Sequence, residues 1–269
     1  MNIGSLAEIE KAVSEKGKSN YVTKYDLEVE NQLKQNLKNL IPNSTFLGEE
    51  TGGKISETGY NWVVDPIDGT TNFIHGLPFA ISIGLIKNKE TIIGCIYNPT
   101  TDDFWYAIKN NGAYKNEIKL QASNRNEISG TVMQFGFPYD INKTEDILKK
   151  VLDVKNAGAA DIKRIGPACL DICRVASGEC DAYFEHDLKP WDIAAAKLIL
   201  EEAGGNICKM DGNKYDFSQS SIIACNQSKK LQMELLKILK KKGFEKTKSK
   251  FLLFVFCQIK YCINKYKMI

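Results

Sequence analysis

The alternation of apolar and polar positions gives the two halves of the chain different rhythms. In the first half, Thr45 to Gly48, the run through Trp62, Val63 and Val64, Ala80 to Ile86, Thr91 to Tyr97 and Asp103 to Ile108 are strand-length segments bounded by turn residues. Asn110-Asn111-Gly112 is a turn signal, so the last three segments predict an antiparallel meander. Ahead of them, Thr23 precedes a helix in which Leu33, Leu37 and Leu40 recur at helical spacing, and Pro42-Asn43-Ser44 ends it. Lys16 to Asn20 predicts a polar loop, and Thr51-Gly52-Gly53-Lys54 a mobile one.

The second half mixes strands with helices. Thr131 to Phe135, Asp161 to Ile165, Asp181 to Glu185, Asn206 to Met210 and Ser221 to Ala224 predict strands. Helices are expected over Lys143 to Val154, from Pro167 to a stop at Gly178, and from Asp192 to Ala203 before Gly204-Gly205. Leu231, Leu235, Ile238 and Leu239 mark a last amphipathic helix closed by Gly243. No internal repeat is visible. The order predicts an α/β (mixed α+β) fold in layers, divided into an N-terminal half, 1–122, a C-terminal half, 123–243, and a tail, 244–269.

Composition changes this picture little. With 269 residues, 43% apolar and 26% charged, the chain suits one large domain or two fused halves. Eight cysteines lack a paired framework and no signal peptide precedes them, so reduced thiols in a cytoplasmic protein are expected. Cys169 and Cys173, four apart on one helix, read as buried core thiols. The net charge of +3 hides an asymmetry: from Lys240 onward there are nine lysines and one glutamate, whereas the rest carries 27 basic and 32 acidic residues. A mildly acidic body gives no reason to expect nucleic acid as a required partner. The tail joins lysines to Phe251-Leu252-Leu253-Phe254-Val255-Phe256, too short a run to span a bilayer. It could meet an anionic membrane surface, add a strand or partner contact, or be a reading-frame artefact or disordered extension, the last pair ranking first.

The candidate chemistry sits where the Trp62–Val64 run ends. Asp65 and Asp68 lie three apart around Pro66, which stiffens the turn, and Gly69-Thr70-Thr71 follow. Two carboxylates held together repel unless a cation lies between them, and hard cations such as Mg²⁺ take oxygen ligands. The N–H groups of Gly69, Thr70 and Thr71, opening a short helix, form a candidate phosphate cradle. A lone Asp-x-x-Asp is more often a solvent-facing turn. The spacing does not fit the Asp-x-Asp-Gly-Thr loop of aspartyl-phosphate phosphatases.

The longer strings decide between these. DPIDGTTNFIHGLPFAISIGL, from Asp65 to Leu85, resembles the first signature of the inositol monophosphatase family, and PWDIAAAKLILEEAGG, Pro190 to Gly205, resembles its second. FLGEE, Phe46 to Glu50, and VTKYD, Val22 to Asp26, match two further motifs in the right order, so the resemblance covers roughly residues 16 to 240. It implies a five-layered αβαβα sandwich, a homodimer, and Mg²⁺-dependent hydrolysis of a small phosphate monoester, with two or three Mg²⁺ per site. It implies further that Glu49, Asp65 and the Ile67 carbonyl hold one cation, and that Asp65, Asp68 and Asp192 hold a second. Thr70 and Asp26 would act on the attacking water, with Glu49 beside them. Gly69, Thr70, Thr71, Gly166, Ala168 and Glu185 would bind substrate, Glu185 through a sugar hydroxyl. Pro167, lacking an N–H, cannot donate there.

From the residues alone, Asp192 reads as a helix cap and Asp26 as a first-turn helix acid. His75 and His186 are expected in structural or surface roles. Trp62 and Trp191 are expected to wall the site, and Glu50 to be an auxiliary charge. The resemblance also implies a long amphipathic opening helix, of which Leu6, Ile9 and Val13 could supply only a fragment. The expected activity is on myo-inositol 1-phosphate or related polyol phosphates. Fructose-1,6-bisphosphatase and histidinol-phosphate phosphatase activities stay open, with Arg164 a candidate for a second phosphate. Nucleotide 3′-phosphatases usually carry Lys-Glu-Phe where this chain has Thr71-Asn72-Phe73. A regulatory protein that has kept the fold and lost turnover is the alternative of another class.

Overall fold

The computed structural model describes residues 13–17 and 20–240. The tail from Phe244, Gly243, Leu6 and Ile9 lie outside these residues. Val13, expected on a helix, instead opens β1 (Val13–Gly17), which pairs antiparallel with β2 (Asn20–Thr23). The predicted Lys16–Asn20 loop is thus partly strand.

Helix α1 (Lys24–Leu40) starts where the Thr23 side chain accepts the Tyr25 N–H and the Asp26 carboxylate returns to the Thr23 N–H, a capping box. It lays Leu33 and Leu37 on Phe46, Trp62, Val64 and Leu85, while Leu40 at its end is 73% exposed and takes no part in the expected stripe. The sheet beneath has eight strands in the order β10-β9-β8-β7-β6-β5-β3-β4. These are β3 (Thr45–Gly48), β4 (Gly52–Gly53), β5 (Tyr60–Asp68), β6 (Ala80–Lys87), β7 (Glu90–Asn98), β8 (Asp103–Ile108), β9 (Ala113–Lys115) and β10 (Ile118–Lys119). The predicted meander is β6 to β8. The supposed mobile loop contributes β4, antiparallel to β3, and α2 (Thr70–Ile74) follows β5.

The second sheet, ordered β12-β11-β13-β15-β14, comprises β11 (Val132–Phe135), β12 (Asp161–Lys163), β13 (Ala182–Leu188), β14 (Asn206–Lys209) and β15 (Ser220–Cys225). Between the sheets lie α4 (Ala168–Ala176) and α5 (Pro190–Glu202), apolar on nearly every side, as a helix buried on both faces must be. Their Leu170, Ile172, Ile193, Ile199 and Leu200 are almost fully buried, at about 1.5–3 kcal/mol each. The α5 backbone comes so close to the first sheet that a Cβ on Gly94 would stand 2.6 Å from the Ala195 carbonyl oxygen. A side chain at Gly94 would push the layers apart. On the far face, α3 (Ile141–Asn156) and α6 (Lys229–Leu239) cover Met133, Phe135, Phe184, Ile223 and Cys225 with Ile147, Val154, Leu231 and Leu235.

Helix, sheet, helices, sheet, helices: the five layers expected are present. The first sheet takes its strands from before residue 122 and the second from after 123, yet α5 of the second half packs on β5 to β9 of the first, in a shared core. Among the described residues, no helix is long and apolar enough to cross a membrane.

Candidate active site

β5 delivers the two carboxylates through an irregularity. Asp65 stands opposite Ser82 and Asp68 opposite Ala80, so β5 spends three steps where β6 takes two. On a regular strand, residues three apart point to opposite faces; one extra residue restores a common side. Gly69 follows at φ +87°, a left-handed conformation favouring glycine, and turns the chain into α2. β13 has the same device: Glu185 faces Ile222 and Leu188 faces Ser220, with Asp187 at φ +63° between them. α5 begins two residues after β13 ends, which brings Asp192 in.

One carboxylate oxygen from each of Asp65, Asp68 and Asp192 lies within 4.8 Å of the others. Each side chain has an internal donor: Ile67 N–H for Asp65 at 3.0 Å, Cys169 N–H for Asp68 at 2.8 Å and Lys189 N–H for Asp192 at 2.7 Å. The cap residue of α5 is Lys189 rather than the expected Asp192, which stands inside the first turn and both holds the Lys189 N–H and joins the cluster. Burial, foremost, pushes all three above the ordinary carboxylate range. The charges of Glu49, Asp68 and Asp192 then raise Asp65 further, and Asp68 does the same to Asp192. Clustered oxygen donors with this much mutual repulsion fit a hard divalent cation. Glu49 is outside the three-residue cluster but lines the same cavity, of about 630 Å³, together with Ile67, Gly69, Thr70 and Thr71. Glu50 is not among the lining residues.

Asp26 and Thr70, 44 residues apart, are brought together. The Thr70 hydroxyl lies 3.3 Å from Asp26 Oδ1 and equally far from the Ile67 carbonyl oxygen. Asp26 Oδ2 accepts the Thr23 N–H at 2.7 Å and the Thr23 hydroxyl at 2.6 Å, so the fully buried carboxylate keeps its helix-capping role while its other oxygen faces Thr70.

Across the cavity, Glu185 accepts a hydrogen bond from the Tyr183 hydroxyl. Burial drives Glu185 up to about 8, against the lowering effect of that bond. Gly136 makes this possible: a Cβ there would stand 2.0 Å from Glu185 Oε2. Ala168 also lines the cavity, in the first turn of α4. The Gly166 N–H, expected to face substrate, instead donates to Asp171 Oδ2 at 2.9 Å. It is held by the protein's own carboxylate. Trp62 does not wall the site, since its position on β5 turns it to the α1 face, where it packs with Leu37 and Phe46. Trp191 does line the cavity. His75 is exposed, and His186 bridges Ser221 and Asp146 at 2.8 Å each, in the structural role expected. Cys169 and Cys173 are buried free thiols.

Sequence reasoning missed Asp171, which is 1% exposed and takes hydrogen bonds from Gly166 N–H, Gln134 Nε2 and Arg174. Burial raises it to about 6 in spite of the Arg174 charge. A single acid inside the apolar run Ala168 to Ala176 was the available signal. Arg164, exposed at the rim, lies over the Phe137 ring at 5.3 Å.

The sequence model of the inositol monophosphatase family matches residues 3–243. The chain belongs to that family. Among relatives of this inositol monophosphatase family chain, "Nus factor SuhB" of Haemophilus influenzae is 38% identical over 216 residues, covering 78% of this chain and 80% of the relative. "Inositol-1-monophosphatase" of Mesorhizobium japonicum is 37% identical over 232 residues, covering 85% and 86%. The crystal structure of the extragenic suppressor protein suhB from Bartonella henselae superposes with a TM-score of 0.81 at 34% identity, over 88% of this chain and 92% of that one. The chain is thus a phosphatase-family protein with the family's layered fold.

Proposed function

We propose that this protein is a Mg²⁺-dependent phosphomonoesterase acting on myo-inositol 1-phosphate or closely related polyol phosphates. One observation carries the reading: the Asp65, Asp68 and Asp192 oxygens converge in the cavity that also holds the Thr70 hydroxyl, which is backed by Asp26. Glu49, Asp65, the Ile67 carbonyl, Asp68 and Asp192 are the groups that would hold the cations. Bound Mg²⁺ supplies charge neutralisation for the phosphate and eases ionisation of water.

The remaining chemistry belongs to the chain. Thr70 donates its hydroxyl proton toward Asp26 Oδ1 and turns a lone pair to the cavity; as a water there gives a proton to the Thr70 oxygen, the Thr70 proton passes to Asp26, which ends protonated, with Thr70 a neutral hydroxyl and hydroxide left in the cavity. Thr23 supplies two donors to the other Asp26 oxygen, which hold the carboxylate in place behind Thr70. Gly69, Thr70 and Thr71 present backbone to the phosphate at the start of α2. Glu185 orients a hydroxyl of the leaving polyol. With its carboxyl near 8, it donates as well as accepts at neutral pH.

The likeness to relatives named inositol-1-monophosphatase supports the substrate class. The likeness to one named Nus factor SuhB supports a second reading, a regulatory or interaction protein on the same scaffold. Phosphate release from a panel of polyol, sugar and aryl phosphates, with and without Mg²⁺, separates the two. Turnover of myo-inositol 1-phosphate is expected, and a folded protein inert on every substrate overturns the enzymatic reading.

A further inference from the structure

Glu30 is one of the buried acids that the catalytic reading leaves unused. It lies on α1 one turn after Asp26 and one before Lys34, with no solvent exposure. Its two oxygens take two consecutive backbone donors: Glu50 N–H at 2.8 Å on Oε2 and Thr51 N–H at 2.7 Å on Oε1. Lys34 Nζ adds a contact to Thr51 Oγ1 at 3.1 Å. Gly48 makes room for the carboxylate, since a Cβ there would stand 2.4 Å from its carboxyl carbon. A buried carboxylate is costly unless its hydrogen bonds are complete, and these are charge-assisted and bidentate. The turn so gripped is the one that follows Glu49.

We propose that Glu30 is a positioning residue for the metal site: by holding the two N–H groups after Glu49, it fixes the 49–51 turn and the direction of the Glu49 carboxylate. This rests on the reading that Glu49 helps to hold a divalent cation. On its other side the turn is tied to the first sheet through the Glu49 N–H to Val64 carbonyl bond, 3.2 Å, and the two-residue strand β4. Glutamine at 30 offers one acceptor and sets its amide against the second N–H donor, so the turn gains freedom while the helix keeps its length.

The test is Mn²⁺ binding, by titration calorimetry, to the full-length protein stripped with chelator, for the parent, Glu30→Gln and Gly48→Ala. Gly48→Ala displaces the Glu30 carboxylate without removing its charge. Both variants should bind Mn²⁺ about tenfold more weakly, the low end of the loss seen when a partner supporting a metal ligand is removed. With saturating Mg²⁺ their kcat should return to within about threefold of the parent, a split that general destabilisation does not produce. Unchanged affinity in either folded variant overturns the proposal, and Gly48→Ala decides alone if Glu30→Gln does not fold. If the parent binds no Mn²⁺, the metal-dependent reading falls and this inference falls with it; if the parent binds and the variants match it, only the inference falls.

Discussion

Two groups of acids, one lining the cleft and one on α1 behind it, are satisfied to different degrees. On α1, Asp26 and Glu30 are fully buried, yet hydrogen bonds from Thr23, Thr70, Glu50 and Thr51 engage both oxygens of each. At the ends of β5 and the start of α5, Asp65, Asp68 and Asp192 each have one backbone donor and face one another. The α1 acids hold parts of the protein together. The cluster is organised around charge that the protein itself does not neutralise. Burial alone does not mark a ligand site; burial with incomplete internal compensation does.

Breaking the cluster should have the largest effect. Asp68→Asn is expected to lower kcat/KM by roughly a hundredfold or more, because a cation loses a charged ligand. In the metal-free protein it should raise the melting temperature, because a repelling charge is gone. Activity within about threefold of the parent would show that Asp68 holds no essential ion.

The pH dependence of metal stabilisation sharpens the contrast next. The folded-state carboxyls of Asp65, Asp68 and Asp192 lie above their unfolded values. Their contribution to metal-free stability is therefore fully present below the unfolded carboxyl range and is lost as pH rises through the raised folded values. A cation that binds the ionised forms offsets that loss. At a concentration a hundredfold above its Kd, Mg²⁺ should stabilise the protein by about 2.7 kcal/mol at pH 8, and by much less near pH 5. Melting curves across pH with and without Mg²⁺ measure this; equal stabilisation at both ends would argue against carboxylate binding.

Glu185→Gln should act on selectivity. The expected outcome is a several-fold rise in KM for a polyol phosphate with little change for an aryl phosphate. Equal losses on both would remove Glu185 from the leaving-group contact. The same variant should flatten part of the metal-free stability loss between about pH 4.5 and 8, the interval over which the native carboxyl titrates late.

Much of this was legible in the linear chain wherever the controlling physics is local. Strand lengths, the β6–β8 meander, the helix caps at Thr23 and Pro167 and the stop at Gly178 follow from propensity, turn chemistry and periodicity within a few residues. The Asp65–Thr71 string and the other motifs named the family and a candidate ligand set, because each motif is contiguous. Tertiary structure alone decided which atoms meet. Asp26 reaches Thr70 across 44 residues, and Asp192 joins Asp65 across more than 120, because two bulged strands and one buried helix end at the same place. Trp62 turned away from the cleft because strand parity assigned it to the α1 face, and no single strand's sequence says which face carries the site. The Gly166 N–H went to Asp171, and Glu30 to the turn after Glu49, because a buried polar group takes whichever partner the packed layers bring within about 3 Å, and that choice is made by the fold.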